Sequence, residues 1–489
     1  MATVSFDGVL NALATVFNWG YLLTILFVIF LVIQQRGDPN KTISWILMIV
    51  FFPVVGIVLY FLFGKNYRKQ KIFSYKGLSD IETIKMFHHA IADEMHILEG
   101  IKNQAVRSKQ HIIRLLLNNS KAILTRYNRL GILNNGRDTF DEILRELEKA
   151  VDHIHVEYYI IEKDRIGTLV RDLLIRKAME GVKVRVIYDD VGSWNLDRTF
   201  LQPMQKAGIE FYPFLPVRFI RFANKINYRN HRKIIVIDGK VGFVGGLNIA
   251  DRYIEGTGEL GAWRDTHLKI EGEAVRSLQL IFLTDWYFVS GSAVKGDNYF
   301  PPLEVTEEKL VQITASGPDS DWASIMQVYF SAISTARHRI YISTPYFIPN
   351  ESILTALKTA SLSGVEVRIL IPLKSDSRLV YYSTLSFVSE LLEAGVRVFF
   401  YKKGFNHSKL MMVDGVFCSV GTANMDIRSF DQNFEVNAIV YDREVTHELE
   451  KSFLRDLKNS YEFSLEEWEK RHWVNKLKEN TARLLSPLM

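Results

Sequence analysis

At 230–239 the chain reads Asn230-His231-Arg232-Lys233-Ile234-Ile235-Val236-Ile237-Asp238-Gly239. At 406–415 it reads Asn406-His407-Ser408-Lys409-Leu410-Met411-Met412-Val413-Asp414-Gly415. Asn248 and Asn424 follow at the same distance from their histidines. His, Lys, Asp and Asn therefore stand at identical offsets in two places. The flanks repeat as well. Ala150-Val151-Asp152-His153-Ile154-His155-Val156 is matched by Ala336-Arg337-His338-Arg339-Ile340-Tyr341-Ile342. Glu180-Gly181-Val182-Lys183-Val184 is matched by Ser363-Gly364-Val365-Glu366-Val367, and Lys206-Ala207-Gly208-Ile209 by Glu393-Ala394-Gly395-Val396. Each set falls in the same order before its motif, which marks an internal duplication. Residues near 291–310, with Gly296, Pro301 and Pro302, are the expected join.

Helical spacing at Phe140, Ile143, Leu144, Leu147 and Val151 precedes a strand pattern at 154–161. A helix over 168–180 ends at Gly181, and 182–188 is again a strand. Strands alternating with helices predict an α/β fold with a sheet covered on both faces. In each His-x-Lys, strand alternation puts both side chains on one face. The apolar residues that follow suit a strand buried on both sides.

The duplicated His-x-Lys-x4-Asp-Gly pattern resembles the signature of the phospholipase D superfamily. Nearly the whole chain, including Arg428-Ser429-Phe430 and Asn433-Phe434-Glu435, is similar to its bacterial cardiolipin synthase branch. The resemblance implies two phospholipase D-like α/β halves with mixed sheets flanked by helices. It implies that the halves meet face to face, bringing His231, Lys233 and Asn248 together with His407, Lys409 and Asn424. Asp265 and Glu435 are the acids expected to hold the catalytic histidines. Asp238 and Asp414 are counted with His231, Lys233, His407 and Lys409 in the motif's catalytic set; each precedes a Gly at a strand end, and the resemblance implies that they hold the local structure rather than touch phosphate.

Such a site suits phosphoryl transfer. A phosphodiester gains negative charge at oxygen during displacement, and fixed Lys and Asn donors stabilise that charge best in a water-poor pocket. One neutral His can attack phosphorus, and a protonated one can give its proton to the leaving oxygen. By resemblance His231 is the nucleophile and His407 the acid and then base; the reverse assignment stays open. A Lys two residues from each His argues against a metal site, so neither metal nor cofactor is expected.

The hydrophobic fraction of 48% sits unevenly: residues 8–35 and 42–64 carry no charge. Each exceeds the roughly 20 apolar residues that cross a bilayer. Gly37-Asp38-Pro39-Asn40 makes a turn between them. Residues 1–71 are therefore expected to form a two-span helical hairpin, with spans about 12–34 and 43–63. Arg36, Lys41, Lys65, Arg68, Lys69 and Lys71 against Asp7 and Asp38 give this segment most of the formal charge of +5. Lys65, Arg68, Lys69 and Lys71 follow the second span, which predicts that this end and the body face the cytoplasm; the resemblance implies the plasma membrane of a bacterium. Beyond it the expected segments are a helical connector 72–133, halves 134–300 and 301–445, and a helical end 446–489. Trp468 and Trp473 in that end fit either a membrane interface or packing on the body. Cys418, the one cysteine, reads as a small core residue and excludes an intramolecular disulfide. Gly245-Gly246 reads as a tight turn, since no G-K-[ST] follows.

The stretch 211–237 has no acid and carries Arg218, Arg221, Lys225, Arg229, Arg232 and Lys233 among Phe211, Phe214, Phe219 and Phe222. Cations for headgroups and rings at the acyl boundary suit an anionic lipid, so Arg218, Arg221 and Lys225 are candidate lipid-binding residues. Single-stranded nucleic acid would fit too; the membrane hairpin favours lipid, and no nucleic acid is expected. The resemblance implies a phospholipid transphosphatidylase with phosphatidylglycerol and cardiolipin as ligands and the bilayer as partner. A hydrolase or phosphatidylserine synthase on the same site is the alternative, and a tethered nuclease fits less well.

Overall fold

A computed structural model describes residues 6–34, 39–60, 100, 104–216, 228–302 and 304–485. They divide into two compact units, the N-terminal helices and the body.

Among the described residues the N-terminal unit has three helices: α1 (Phe6–Gln34), α2 (Pro39–Phe51) and α3 (Pro53–Leu59). Pro53 cannot continue α2 but suits the first turn of α3, where its missing N–H costs nothing. Val28, Val32, Trp45, Ile49 and Tyr60 form the buried seam of this unit. Trp45 and Tyr60 meet edge to face with centroids 5.7 Å apart. Among the described residues no helix is long and apolar enough to cross a membrane. Side chains are described continuously only from Tyr21 to Gln34 of α1, and Pro53 divides the second apolar run into helices of 13 and 7 residues.

The described residues of the body form a 16-stranded sheet and a separate two-stranded one, Phe347–Ile348 with Met425–Asp426. The body's first half supplies β1 (Thr125–Asn135), β2 (His153–Tyr158), β3 (Lys183–Asp189), β4 (Glu210–Phe214), β5 (Lys233–Ile237), β6 (Val241–Gly245) and β7 (Ala262–Gly272). The second half begins with β8 (Glu308–Ser316), β9 (Arg339–Ser343), β10 (Phe347–Ile348), β11 (Glu366–Pro372) and β12 (Arg397–Tyr401). It continues with β13 (Gly404–Asn406), β14 (Leu410–Val413), β15 (Phe417–Gly421), β16 (Met425–Asp426), β17 (Glu435–Tyr441) and β18 (Ser460–Glu462). The first half runs β4-β3-β2-β5-β6-β7-β1 and the second β12-β11-β9-β14-β15-β17-β8. These are the same permutation, joined where β1 and β8 pair antiparallel, Thr125 opposite Val311. In both halves three strands are parallel (β2-β3-β4 and β9-β11-β12) and the rest antiparallel, so the sheet is mixed.

Strand alternation explains why the motif strands are apolar on both faces. Ile235 and Ile237 face a core with the first half's helices, including Phe140, Ile143 and Leu174. Ile234 and Val236 enter a second core with Leu410, Met412, Cys418, Val420 and Val436 from the other half. Met411 and Val413 turn back to the second half's own helices. The central core is thus a sheet-on-sheet interface between the duplicated halves. Cys418 is wholly buried in it, and burial pushes its thiol up to about 12.

Two boundaries differ from expectation. The body's sheet begins at Thr125, inside the stretch expected to be a helical connector, whose described helices are Gln104–Arg107 and Gln110–Ser120. β1 is half-exposed along most of its length and mixes Arg and Asn with its apolar residues, so it lacks the aliphatic run that announces the other strands. At the other end, helix Arg443–Leu457 packs on the second half, β18 adds to the edge of β12, and helices Leu465–Glu469 and Trp473–Leu485 follow. Trp468 is buried against Phe400 and Phe463, whereas Trp473 is exposed.

The Asp-Gly pairs make the tight hairpins β5–β6 and β14–β15. Asp238 and Gly239 have φ of 52° and 64°, and Asp414 and Gly415 of 55° and 68°, as a two-residue turn with both centres left-handed demands. The Asp238 carboxylate accepts the amides of Val151, Asp152 and His153 at 2.8–2.9 Å. Asp414 accepts those of Arg337, His338 and Arg339 and the Lys109 ammonium at 2.9 Å. Both lie at the ends of β5 and β14 away from the histidines. They pin the hairpins to β2 and β9, as the strand-end position implied. Asp238→Ala strands three backbone donors and is expected to cost about 1–3 kcal/mol in denaturant unfolding, with Asp238→Asn milder. The specific activity of folded Asp238→Ala protein should fall far less than that of any histidine variant.

Candidate active site

The two His-x-Lys segments end where the halves cross. The His231 amide donates to Phe434 O at 2.9 Å, and the Phe434 amide to Arg229 O at 2.9 Å. On the other side β13 pairs parallel with β7, and the His407 amide donates to Arg264 O at 2.7 Å. Each histidine is therefore stitched to the strand that carries the other half's acid. His231 Nδ1 lies 2.9 Å from Glu435 Oε2, and His407 Nδ1 lies 2.7 Å from Asp265 Oδ2. The expected acids do hold the histidines, but each half serves its counterpart.

The acids are fixed in turn. Glu435 accepts from Thr422 Oγ1 and, at 3.3 Å, from Asn433 Nδ2. Asp265 accepts the Thr266 amide at 2.7 Å. A Cβ at Gly246 would stand 2.2 Å from the Asp265 carboxylate, so Gly246 makes room for that acid. Gly245-Gly246 is thus more than the turn its sequence implied.

Burial tries to raise the Glu435 pKa, but the His231 and Lys233 charges outweigh it and hold it at about 2. Ionised Glu435 can only accept, so His231 Nδ1 carries the proton and Nε2 keeps its lone pair. Burial first, then Lys233 and Lys409, lower His231 to about 4 despite Glu435. Burial, Lys409 and Lys233 likewise push His407 well below its ordinary value. Both imidazoles are accordingly neutral in the empty site at neutral pH.

Lys233 Nζ donates to His231 O at 2.7 Å and stands 5.3 Å over the Tyr159 ring. Lys409 Nζ donates to His407 O at 2.6 Å and lies 2.9 Å from His407 Nε2. Both lysines are buried, and burial lowers their pKa, Lys409 to about 8. Two ammonium groups beneath two imidazoles, unneutralised save by the acids behind them, form a site built for an anion.

Above them opens a cavity of about 580 Å³ lined by His231, His407, Asn248 and Asn424. Asn248 accepts the Ile160 amide at 3.2 Å and donates to Tyr253 OH; Asn424 Oδ1 is buried without a partner among the described residues. All the motif His, Lys and Asn residues thus converge, and Asp238 and Asp414 do not. Arg218, Arg221 and Lys225 lie outside the described residues. Among the described residues no three His, Cys, Asp or Glu side chains gather as metal ligands.

The cavity also exposes groups that the sequence reading did not assign to the site: Arg229, Arg252, Arg428, Tyr159, Tyr346 and Asp376. Arg252 and Arg428 occupy the same offset from Asn248 and Asn424. That shared offset was the available signal.

Comparison with known proteins agrees with this geometry. Residues 143–286 and 329–457 match the family described as "Cardiolipin synthase, PLD-like domain", and 22–65 match "Phospholipase_D-nuclease N-terminal". The cardiolipin synthase of Geobacillus sp. (strain WCH70) is 44% identical, over 95% of this chain and 92% of its own. The chain belongs to the cardiolipin synthase family. Other cardiolipin synthase relatives include cardiolipin synthase 2 of Bacillus anthracis, 46% identical over 93% of this chain and 88% of its own. The major cardiolipin synthase of Bacillus subtilis (strain 168) is 40% identical over 96% and 98%. A phosphatidylserine synthase structure from Haemophilus influenzae Rd KW20 shares the fold, with TM-score 0.60 at 15% identity, over 78% of this chain and 100% of that one.

If each carboxylate fixes the opposite histidine's tautomer, Glu435→Gln and Asp265→Asn should each lower kcat on the order of 10²-fold or more, with KM little changed. Steady-state kinetics on protein of unchanged melting temperature checks this.

Proposed function

We propose that the chain is a membrane-anchored cardiolipin synthase that joins two phosphatidylglycerol molecules into cardiolipin and glycerol through a phosphatidyl-histidine. The observation that carries the reading is the pair of crossed histidine–carboxylate contacts over two buried lysines in one cavity.

His231 Nε2 attacks the phosphorus of the first lipid, and the bond from phosphorus to the glycerol oxygen breaks. A bound phosphodiester anion counters the lysine charges that depress His407, so His407 can carry a proton in the complex. It delivers that proton to the departing oxygen. Neutral His407 then takes the proton of the second lipid's headgroup hydroxyl, whose oxygen attacks phosphorus. The phosphorus–nitrogen bond breaks and its electrons return to His231. One phosphodiester replaces another, so no nucleotide enters. Lys233, Lys409, Asn248 and Asn424 meet the charge on the phosphoryl oxygens.

The N-terminal unit supports the anchor. Beside its buried seam it exposes Leu23, Phe27, Phe30, Ile33, Phe51 and Val54, which is the surface of a helical hairpin in lipid rather than in water. The cations after the second apolar run favour a cytoplasmic body.

The test is purified protein in liposomes of phosphatidylglycerol alone, with chelator and no nucleotide, and products resolved by mass. Cardiolipin with free glycerol is expected; phosphatidic acid in its place would mean water is the acceptor and the protein a hydrolase. His231→Ala and His407→Ala should each lose at least ~10³-fold in rate while staying in the membrane fraction. Substantial turnover in either would exclude the two-histidine scheme. Lys409 loses its charge as pH rises through about 8, a lowered value for a lysine. The kcat/KM profile should therefore fall on the alkaline side near that pH, well before an ordinary lysine would titrate.

A further inference from the structure

We propose that Arg252 binds the intact phosphodiester of the acceptor lipid, and so selects an acceptor that carries its own phosphate over water or a small alcohol. The inference rests on the proposed function. In the second half-reaction the site must hold two phosphates. The one bonded to His231 is met by the lysines and asparagines. The other sits one glycerol away from the attacking oxygen, on the side of the histidine that takes the proton, and the two motifs hold nothing for it.

Three guanidinium groups line the cavity: Arg229, Arg252 and Arg428. Arg229 is buried and already paired with Asp189 at 3.3 Å. Arg428 also lines the cavity, and its charge, like those of Arg229 and Arg252, acts on the hydroxyl of Tyr159, whose ring packs on His231 at 5.1 Å. Arg252 belongs to the His407 side. Its guanidinium lies 5.6 Å over the Tyr253 ring and 6.0 Å over that of Trp263. Those two rings pack on the His407 ring at 5.5 and 5.3 Å. The Arg252 charge is among those that depress His407.

Arg252 is also available. Its side chain hydrogen-bonds the Tyr253 hydroxyl, and Glu162, its carboxylate partner, stands 3.7 Å away, a distance that leaves room for a closer anion. Its Nε is buried without a partner among the described residues. Tyr253 and Trp263 would fix the guanidinium plane while its outer edge faces the cavity. The geometry is that of a secondary anion site about one headgroup from the reacting phosphorus. Neither water nor a free alcohol can use it.

The test compares two reactions of one enzyme in phosphatidylglycerol liposomes: cardiolipin formation, and exchange of labelled free glycerol into phosphatidylglycerol. Exchange uses the same donor, the same phosphatidyl-histidine and the same base, with an acceptor lacking phosphate. Arg252→Gln should lower the ratio of cardiolipin formation to glycerol exchange at least tenfold and raise the apparent KM for acceptor lipid. Arg252→Lys should restore part of that ratio, and Arg428→Gln should leave the ratio as in wild type. Equal loss of both reactions in Arg252→Gln, or a ratio that falls in Arg428→Gln instead, overturns the assignment. Wild-type protein that exchanges glycerol but makes no cardiolipin would overturn the proposed function itself, and is read before any variant.

Discussion

The contact on which the structure depends is the crossed pairing of His231 with Glu435 and His407 with Asp265. Neither half can make an oriented histidine alone. The acid that would serve His231 stands at the start of β17 in the second half, and its counterpart stands in β7 of the first. The backbone enforces the exchange, because each histidine's amide is tied to the residue just before the opposite acid. The central core of Ile234, Val236, Leu410, Met412 and Val436 then does two tasks with one set of side chains. It holds the halves together, and it sets the distance between the two imidazoles.

Burial gives the site its electrostatic character. Lys233 and Lys409 are nearly inaccessible, and their charges are shared among Glu435, Asp265 and more distant acids rather than neutralised one to one. Desolvation disfavours both lysine charges and both histidine charges, so the site lacks negative charge of its own to balance them. An incoming phosphodiester supplies the missing negative charge. That charge grows at the transferring oxygens during displacement, so stabilisation is greatest in the transition state. A site of this kind has its donors fixed before the substrate arrives, which is why the strand-borne motif matters more than any mobile loop.

Much of this was legible because the chain says it twice. The matched His, Lys, Asp and Asn offsets identify the halves, and the repeated flanks mark strands that recur in each. The Asp-Gly pairs stand at strand ends, where a turn with two left-handed centres has its own residue chemistry. Three things were hidden. β1 escaped because it is half-exposed, with Arg126, Asn128 and Arg129 interrupting its apolar residues. The crossing of the acids escaped because linear offsets show which residues repeat and not which copy each one touches. Arg252 escaped because it lies outside the motif, although its match to Arg428 at the same offset from the Asn was there to be seen.

The duplicated site is symmetric in its motif and asymmetric beneath it. In the first half Asn230 donates to Glu157 at 2.6 Å, and Arg232 pairs with Asp285 within a group of buried acids. Burial raises Glu157 well above the carboxylate range and Asp319 to about 6. At the equivalent places the second half has Ser343, which accepts from Asn406 at 2.7 Å, and Ser408. His231 thus lies beside Tyr159, and His407 beside Trp263 and Tyr253, with Ser408 lying 3.4 Å from the Arg264 guanidinium, itself paired with Asp456 at 2.9 Å. The fold inherits its symmetry from duplication. The two imidazoles differ in their neighbours, Glu157 against Ser343 and Tyr159 against Trp263 and Tyr253, rather than in the shared motif.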